Sequence, residues 1–277
     1  MSTQGTLALD FRQCQRWRHG REHYRPAGEL FDPRYASVQR IDTATAKRFV
    51  CDHHYARSFP AARLSAGLFV KKPFSTEVLA GVCTFSVPMS QSVVPALLDG
   101  LEPSLGIELG RLCLLDEVEG NGESWVLGQS FRLLRQHLPE VRGCLAYCDP
   151  SPRYSRNGEL VKRGHIGTIY HATNGTLRGR SKPRTLLLAP DGSLANERAL
   201  CKLRNGESGA NYVERMLRDM GAAPRRLSES GADYLRRLID GNFFVKQRHP
   251  GNLCFTWRIK KRPSPGRVSL TPDRPIG

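Results

Sequence analysis

The chain has 277 residues, 39% hydrophobic and 25% charged, a balance that suits a soluble globular protein with a full core and excludes a largely disordered chain. No apolar run approaches the roughly 18 residues that a bilayer span needs. Lys and Arg number 42 against 26 Asp and Glu, a formal net charge of +16, which favours an extended polyanion such as nucleic acid as partner, with a solvated basic surface as the plainer alternative.

Residues 1–36 contain Arg, His and Pro with little periodicity and read as a basic N-terminal arm. The first ten lack the basic region and apolar core of a signal peptide, so the protein is expected in the cytoplasm. Asp42 to Tyr55 reads as a helix, with Asp42 or Thr43 as cap and apolar residues at helical spacing. Residues 65–72 and 77–87 read as two strands of a hairpin, and 107–115 as a third strand, apolar on both faces. The run Glu119-Gly-Asn-Gly-Glu-Ser-Trp-Val-Leu-Gly128 then makes a short glycine-bearing loop that opens into a helix ending at Pro139. Free backbone N–H groups at such a helix start suit a pyrophosphate, and Gly120 and Gly122 allow close approach, although strand-Gly-helix joints are common.

Gly143 to Asp149 is the next buried strand, Gly164 to Thr173 a second helix after a polar loop, and Pro183 to Ala189 another strand. Residues 37–191 therefore read as one α/β core. From 192 to 250 the composition turns helical and basic and reads as an insert. Residues 251–260 read as a strand that closes the core, and the Pro-rich tail 261–277 is expected to be disordered.

Eight cysteines are scattered. Only Cys144 and Cys148 are close, on one face of a strand, where buried apolar fillers are commoner than metal ligands. Four polar groupings are candidates for chemistry. The histidines of Asp52-His53-His54-Tyr55 are ligands or proton carriers, or simply favour the negative end of a helix. Arg111 interrupts an apolar strand and must be paired. Glu108, three residues away, falls on the opposite face of a regular strand, so Arg111 meets a ligand or an acid from elsewhere. Asp149 ends a strand at its carboxyl edge, where α/β sheets place their sites, or caps the turn at Pro150. Tyr170, with His165 nearby, is a general acid or a core tyrosine with its hydroxyl at the surface.

Taken in order, Asp52-His-His-Tyr55, Glu108-Leu-Gly-Arg111, Asn121-Gly-Glu-Ser124, Tyr147-Cys-Asp-Pro150 and Gly164-His-Ile-Gly-Thr-Ile-Tyr-His-Ala172 resemble the Mom DNA-modification proteins of Mu-like bacteriophages. The element order resembles that of the GNAT acyltransferases. The resemblance covers about residues 40–190. It implies a mixed central sheet flanked by helices, and an enzyme that modifies the exocyclic amine of adenine in double-stranded DNA. The implied adduct is of methylcarbamoyl type, acetyl-CoA is its source, iron is a proposed requirement, and protection from restriction is the outcome. Carried over by motif, Tyr55, Arg111, Ser124, Asp149 and Tyr170 are the implied catalytic residues, and His54 with Tyr55 the implied metal-linked pair. Gly110, Arg111, Cys113, Gly120, Gly122 and Ser124 are the implied cofactor contacts. The chain departs from the family in the extra residues 151–163.

In that reading Asp149 is the base, Tyr170 the acid for the departing thiolate, and backbone N–H groups near Gly110 and Cys113 steady the carbonyl oxygen. The target base flips from the stack. Phosphate contacts are expected from Lys202, Arg204, Arg215, Arg218, Arg225, Arg226, Arg236 and Arg237 of the insert. An ordinary acetyltransferase of a protein or small amine, and a DNA-binding module on a decayed acyltransferase frame, are the competing readings.

Overall fold

The computed structural model describes residues 15–18, 21–24 and 30–260; most of the basic arm and all of the 261–277 tail lie outside the described residues. Strands β1 (Gln15–Arg18) and β2 (Arg21–Tyr24) form a small ribbon. There follow β3 (Ala36–Ile41), α1 (Thr43–His53), β4 (Ala62–Val70), β5 (Val78–Ser86), α2 (Val93–Leu97), β6 (Gly106–Leu114), α3 (Gly122–His137) and β7 (Gly143–Cys148). A short hairpin, β8 (Arg153–Tyr154) and β9 (Leu160–Lys162), leads to α4 (Thr168–Ala172), β10 (Thr176–Arg180) and β11 (Arg184–Leu188). Three helices, α5 (Glu197–Asn205), α6 (Ala210–Asp219) and α7 (Gly231–Asp240), precede β12 (Val245–His249) and β13 (Leu253–Arg258).

Seven strands form the main sheet in the order β10-β13-β7-β6-β5-β4-β3. Every neighbouring pair is antiparallel except β6 and β7, which run parallel. The fold is thus the expected mixed α/β sheet between helices. Helix α1 starts where the Asp42 carboxylate accepts from the Thr45 N–H at 2.8 Å, and it lays Ala46, Phe49 and Val50 on one face of the sheet against Val82 and Cys113. Helix α3 covers the other face with Val126, Leu127, Phe131 and Leu134, packed on Leu109, Cys144 and Phe255. Among the described residues, no helix is long and apolar enough to cross a membrane.

Three features differ from the sequence reading. Strand β11, expected within the core, pairs with β12 instead of the main sheet, because β10 already occupies the free edge of β13. Leu187 of β11 turns to the core of α5, α6 and α7, built on residues such as Leu203, Leu217 and Tyr234. Strand β10 itself gave no signal, since all five of its residues are exposed and none repeats with an apolar period. The third difference is a bulge in β6. Its pairing with β5 passes from Phe85↔Leu109 to Thr84↔Arg111, leaving Gly110 as an extra residue. A bulge reverses the alternation beyond it, so Glu108 and Arg111 share a face, contrary to the regular-strand expectation. Leu109 and Leu112 accordingly pack into the same core.

Candidate functional site

Parallel pairing of β6 with β7 covers only Gly106, Ile107 and Glu108, opposite Gly143, Cys144 and Leu145. Beyond that the strands part, β6 running on to Leu114 and β7 to Cys148. The Gly110 bulge sits at the point of parting. A Cβ there would lie 2.5 Å from Ser86 Oγ and 3.0 Å from Pro60 Cγ, so the close approach requires glycine.

Besides Gly110, five of the predicted residues gather at this opening. Arg111 donates from Nε to the Ser58 carbonyl and from Nη2 to the Ser58 hydroxyl, each at 3.0 Å, and from Nη1 to the Gly110 carbonyl at 2.6 Å. Among the described residues it forms no ion pair, and its charge bears on His54, Tyr55 and Glu108. The His54 ring stacks on Tyr55 with centroids 4.2 Å apart. Burial, followed by the charges of Arg111, His165 and Lys162, lowers the His54 imidazole to about 3. Lys162 Nζ lies 5.6 Å from the centre of the Tyr55 ring.

Tyr55 keeps 38% of its surface exposed, yet burial is the leading cause that raises its phenol. The two facts agree for a side chain walled by protein on most sides and open on one. The opening is therefore a recess.

Asp149 forms its floor. Its Oδ1 accepts from His249 Nε2 at 2.8 Å and from the Ser151 N–H at 3.0 Å. Its Oδ2 accepts from Arg153 Nη2 at 2.5 Å and lies 3.6 Å from Lys162 Nζ. Its carbonyl accepts from Lys162 Nζ at 2.9 Å and from the His165 N–H at 2.7 Å. Burial alone would raise this carboxyl, but Lys162, the His249 donor, Arg153 and the Ser151 N–H hold it well below the usual carboxylate range. A carboxylate so engaged is a poor proton acceptor, which weighs against the expected role of Asp149 as base. Arg153 and Lys162 come from the extra residues 151–163, which form the β8–β9 hairpin.

Tyr170 packs edge-on against Phe255 and Trp257, centroids 5.3 and 5.4 Å away. Only 8% of it is exposed. Burial and the thiols of Cys148 and Cys144, with the Tyr55 phenol, push its own phenol far up, so it stays a proton donor. His165, 5.5 Å from Tyr170 between centroids, is lowered to about 4 by burial and by Lys162.

The start of α3 is different. Cys113 is a packing residue against α1, and Gly122 is there because a Cβ would come within 2.5 Å of Val118. The Gly120 carbonyl accepts from the Phe31 N–H at 2.9 Å, and Phe31 lies on Trp125. Ser124 Oγ donates to the Asn121 carbonyl at 2.9 Å. Asp116, Glu117, Glu119 and Glu123 surround this helix start. Glu123 pairs with the buried Arg16, whose Nη2 also donates to the Val118 carbonyl at 3.1 Å, and Glu119 pairs with Lys72. The groups around this helix start are thus taken up by contacts within the chain. Gly110 and Arg111 thus belong to the recess, whereas Cys113, Gly120, Gly122 and Ser124 are engaged in their own packing.

A metal does not fit at His54. Its Nδ1 accepts from the Ala56 N–H at 3.0 Å, so the ring proton sits on Nε2. Coordination through Nε2 would put the proton on Nδ1, facing a donor, whereas a ligating histidine donates from its second nitrogen. Tyr55 has the cations Arg153, Arg111 and Lys162 as neighbours. Among the described residues no group of three or more His, Cys, Asp or Glu could hold a metal.

Of the eight insert cations, Arg225, Arg236 and Arg237 pair with Glu214, Asp233 and Glu229. Lys202, Arg204, Arg215, Arg218 and Arg226 form no ion pair among the described residues. Sequence reasoning missed Ser58, Glu108, Arg153, Lys162 and His249. Glu108 was visible as a charge in an apolar strand; the others had no local signal.

The sequence model of the Mom protein family matches residues 35–229, a span that carries every motif residue of the recess and stops short of His249. No curated protein matches the chain.

Proposed function

The chain belongs to the Mom protein family, whose members modify phage DNA, and from that premise we propose that it transfers an acyl-derived group to the exocyclic amine of adenine in DNA. Acetyl-CoA is the proposed source and protection from restriction the consequence; the transfer itself forms an amide on the amine and releases the coenzyme thiol, and a methylcarbamoyl-type adduct requires a further rearrangement that lies outside this transfer. The observation that carries this reading is the recess where β6 and β7 part, which gathers His54, Tyr55, Arg111, Asp149 and Tyr170.

A thioester supplies an activated carbonyl. An adenine amine is a weak nucleophile, so the carbonyl oxygen must be held as charge develops on it. The Nε2–H groups of His54 and His165 and the guanidinium of Arg111 are donors of the right kind. The proton leaving the amine needs an acceptor, and Glu108 suits this better than Asp149. It shares the face of Arg111, forms no ion pair among the described residues, and burial raises its carboxyl. The Tyr170 phenol, held protonated by burial, is too weak an acid to protonate a thiolate and serves instead as a hydrogen-bond donor to the leaving group. The exposed side of the Tyr55 ring offers a stacking surface for an extruded purine.

Extrusion leaves a gap in the duplex. Ile166, 51% exposed beside His165, is an apolar side chain suited to fill it. Its loop lies close against the core: Gly164 and Gly167 take φ of +108° and +84°, and a Cβ on them would come within 2.5 Å of the Pro150 carbonyl and 2.4 Å of the Phe255 ring.

The test is mass spectrometry of nucleosides from cells that express the protein. A modified deoxyadenosine supports the proposal, and its mass identifies the adduct. Unmodified DNA together with acetylated protein or small amines would move the activity to the ordinary acetyltransferase class.

A further inference from the structure

His249 lies beyond the family-matched segment and outside every motif, yet it is fully buried and its Nε2 is 2.8 Å from Asp149 Oδ1, one hundred residues away. Its tautomer is set by its neighbours. The Gly251 N–H donates to Nδ1 at 3.0 Å, so the ring proton is on Nε2 and points at the carboxylate. A buried imidazole with both nitrogens satisfied specifies a geometry where an apolar residue would only fill space.

We infer that His249 is a positioning residue for the recess, acting through Asp149. This rests on the reading of the recess as the catalytic site. By holding Oδ1, His249 leaves Oδ2 turned to Arg153 and Lys162, and the same aspartate anchors the His165 loop through its carbonyl. Lys162, which faces Tyr55, and His165, which faces Tyr170, are thereby fixed from one side. His249 also ends β12, the strand whose antiparallel partner β11 packs on the three basic helices. The recess is therefore completed by the unit that carries the unpaired cations, with the His249–Asp149 hydrogen bond as the link that reaches the buried carboxylate, beside Gln247 to the Pro152 carbonyl and Arg156 to the Asn242 and Phe243 carbonyls.

Two substitutions separate positioning from mere closure of the 249–251 turn. The amide nitrogen of Gln reaches about as far as Nε2, so His249→Gln keeps a donor to Asp149 and loses the Gly251 acceptor. The shorter amide of Asn mimics Nδ1, so His249→Asn keeps the turn and loses the donor. In the full chain, at equal soluble protein, His249→Gln is expected to retain most of the modified deoxyadenosine. His249→Asn is expected to lose about 100-fold, the scale of an ångström-level misplacement at a reacting centre, while melting as a cooperative unit. Full activity in His249→Asn, or an equal fall in both variants, overturns the inference.

A proton spectrum supplies a readout free of activity. The buried Nε2–H should give a downfield resonance that is absent in His249→Gln and moved in Asp149→Asn. If the wild-type chain makes no modified nucleoside, the catalytic reading fails by itself. An Nε2–H signal indifferent to Asp149→Asn overturns the positioning role whatever the activity.

Discussion

His54 and His165 share one local construction: each accepts, at Nδ1, a hydrogen bond from the backbone N–H two residues further on, Ala56 at 3.0 Å and Gly167 at 2.9 Å. Each therefore carries its ring proton on Nε2. Because burial and the charges of Lys162 and, for His54, Arg111 lower them to about 3 and about 4, both remain neutral donors in a positively charged recess.

That neutrality makes the fold acid-sensitive. An unfolded histidine titrates near ~6.5. Above this value neither state is protonated, and the full stability is present. As pH falls below it the unfolded chain takes up protons that the folded chain refuses, so stability declines down to about 4 for His165 and about 3 for His54. Asp149, whose carboxyl is depressed, adds a loss in the same direction at lower pH, beneath the ordinary carboxylate value. The melting temperature should fall between pH 6.5 and 4, and less steeply in the His54→Gln/His165→Gln double variant. Equal slopes in the two proteins would contradict this account.

Asp149→Ala should destabilise the whole chain. It removes the partner of Arg153 and Lys162, which are 12% and 4% exposed in their side chains, and leaves buried charge uncompensated at about 3–5 kcal/mol. Denaturant unfolding measures the loss, and an alanine variant as stable as wild type would rule out the ion-pair floor. Loss of product in this variant is for that reason weak proof of a chemical role.

Tyr170→Phe and Glu108→Gln are the cleaner probes of chemistry. No hydrogen bond holds the Tyr170 hydroxyl among the described residues, and the Glu108 carboxylate has only a long contact, 3.4 Å, from the Met89 N–H. Both variants should fold normally. Glu108→Gln should lower the modification rate by about 10²–10⁴, the scale of a lost proton acceptor, and Tyr170→Phe by about tenfold, the scale of one lost hydrogen bond. Wild-type rates from either would remove that residue from the proposed transfer.

The cations of the three-helix unit should separate by partner. Arg215→Ala with Arg218→Ala is expected to weaken duplex binding across sequences and to reduce the slope of log affinity against log salt by about 2, roughly 0.9 per lost contact. Arg237→Ala, which breaks the pairing with Glu229, should act on thermal stability instead. A salt slope that changes only with Arg237 would reverse the assignment.

Ile166→Ala should leave the melting temperature unchanged, because the side chain is half exposed. Its effect should appear on duplex substrate and vanish on a single strand, where no stack has to be opened. Equal losses on both would remove the wedge from the proposal.

Much of the frame was legible in the chain itself. Helix α1 with its Asp42 cap, the β4–β5 hairpin, β6, α3 and β7 are written in apolar periods and caps that act over a few residues, and the order of the motifs pointed to the family. Tertiary structure alone decided the rest. One inserted glycine moved Arg111 to the side of Glu108, a change invisible to a rule that counts residues along a regular strand. Arg16 and Glu123 closed over a loop whose glycines read as a phosphate cradle, since occupancy by a distant side chain leaves no mark on local pattern. Asp149 took its character from Arg153, Lys162 and His249. A carboxylate at a strand end carries the same sequence signal whether it is free or held by three donors; only folding brings a histidine one hundred residues away to within 2.8 Å of it.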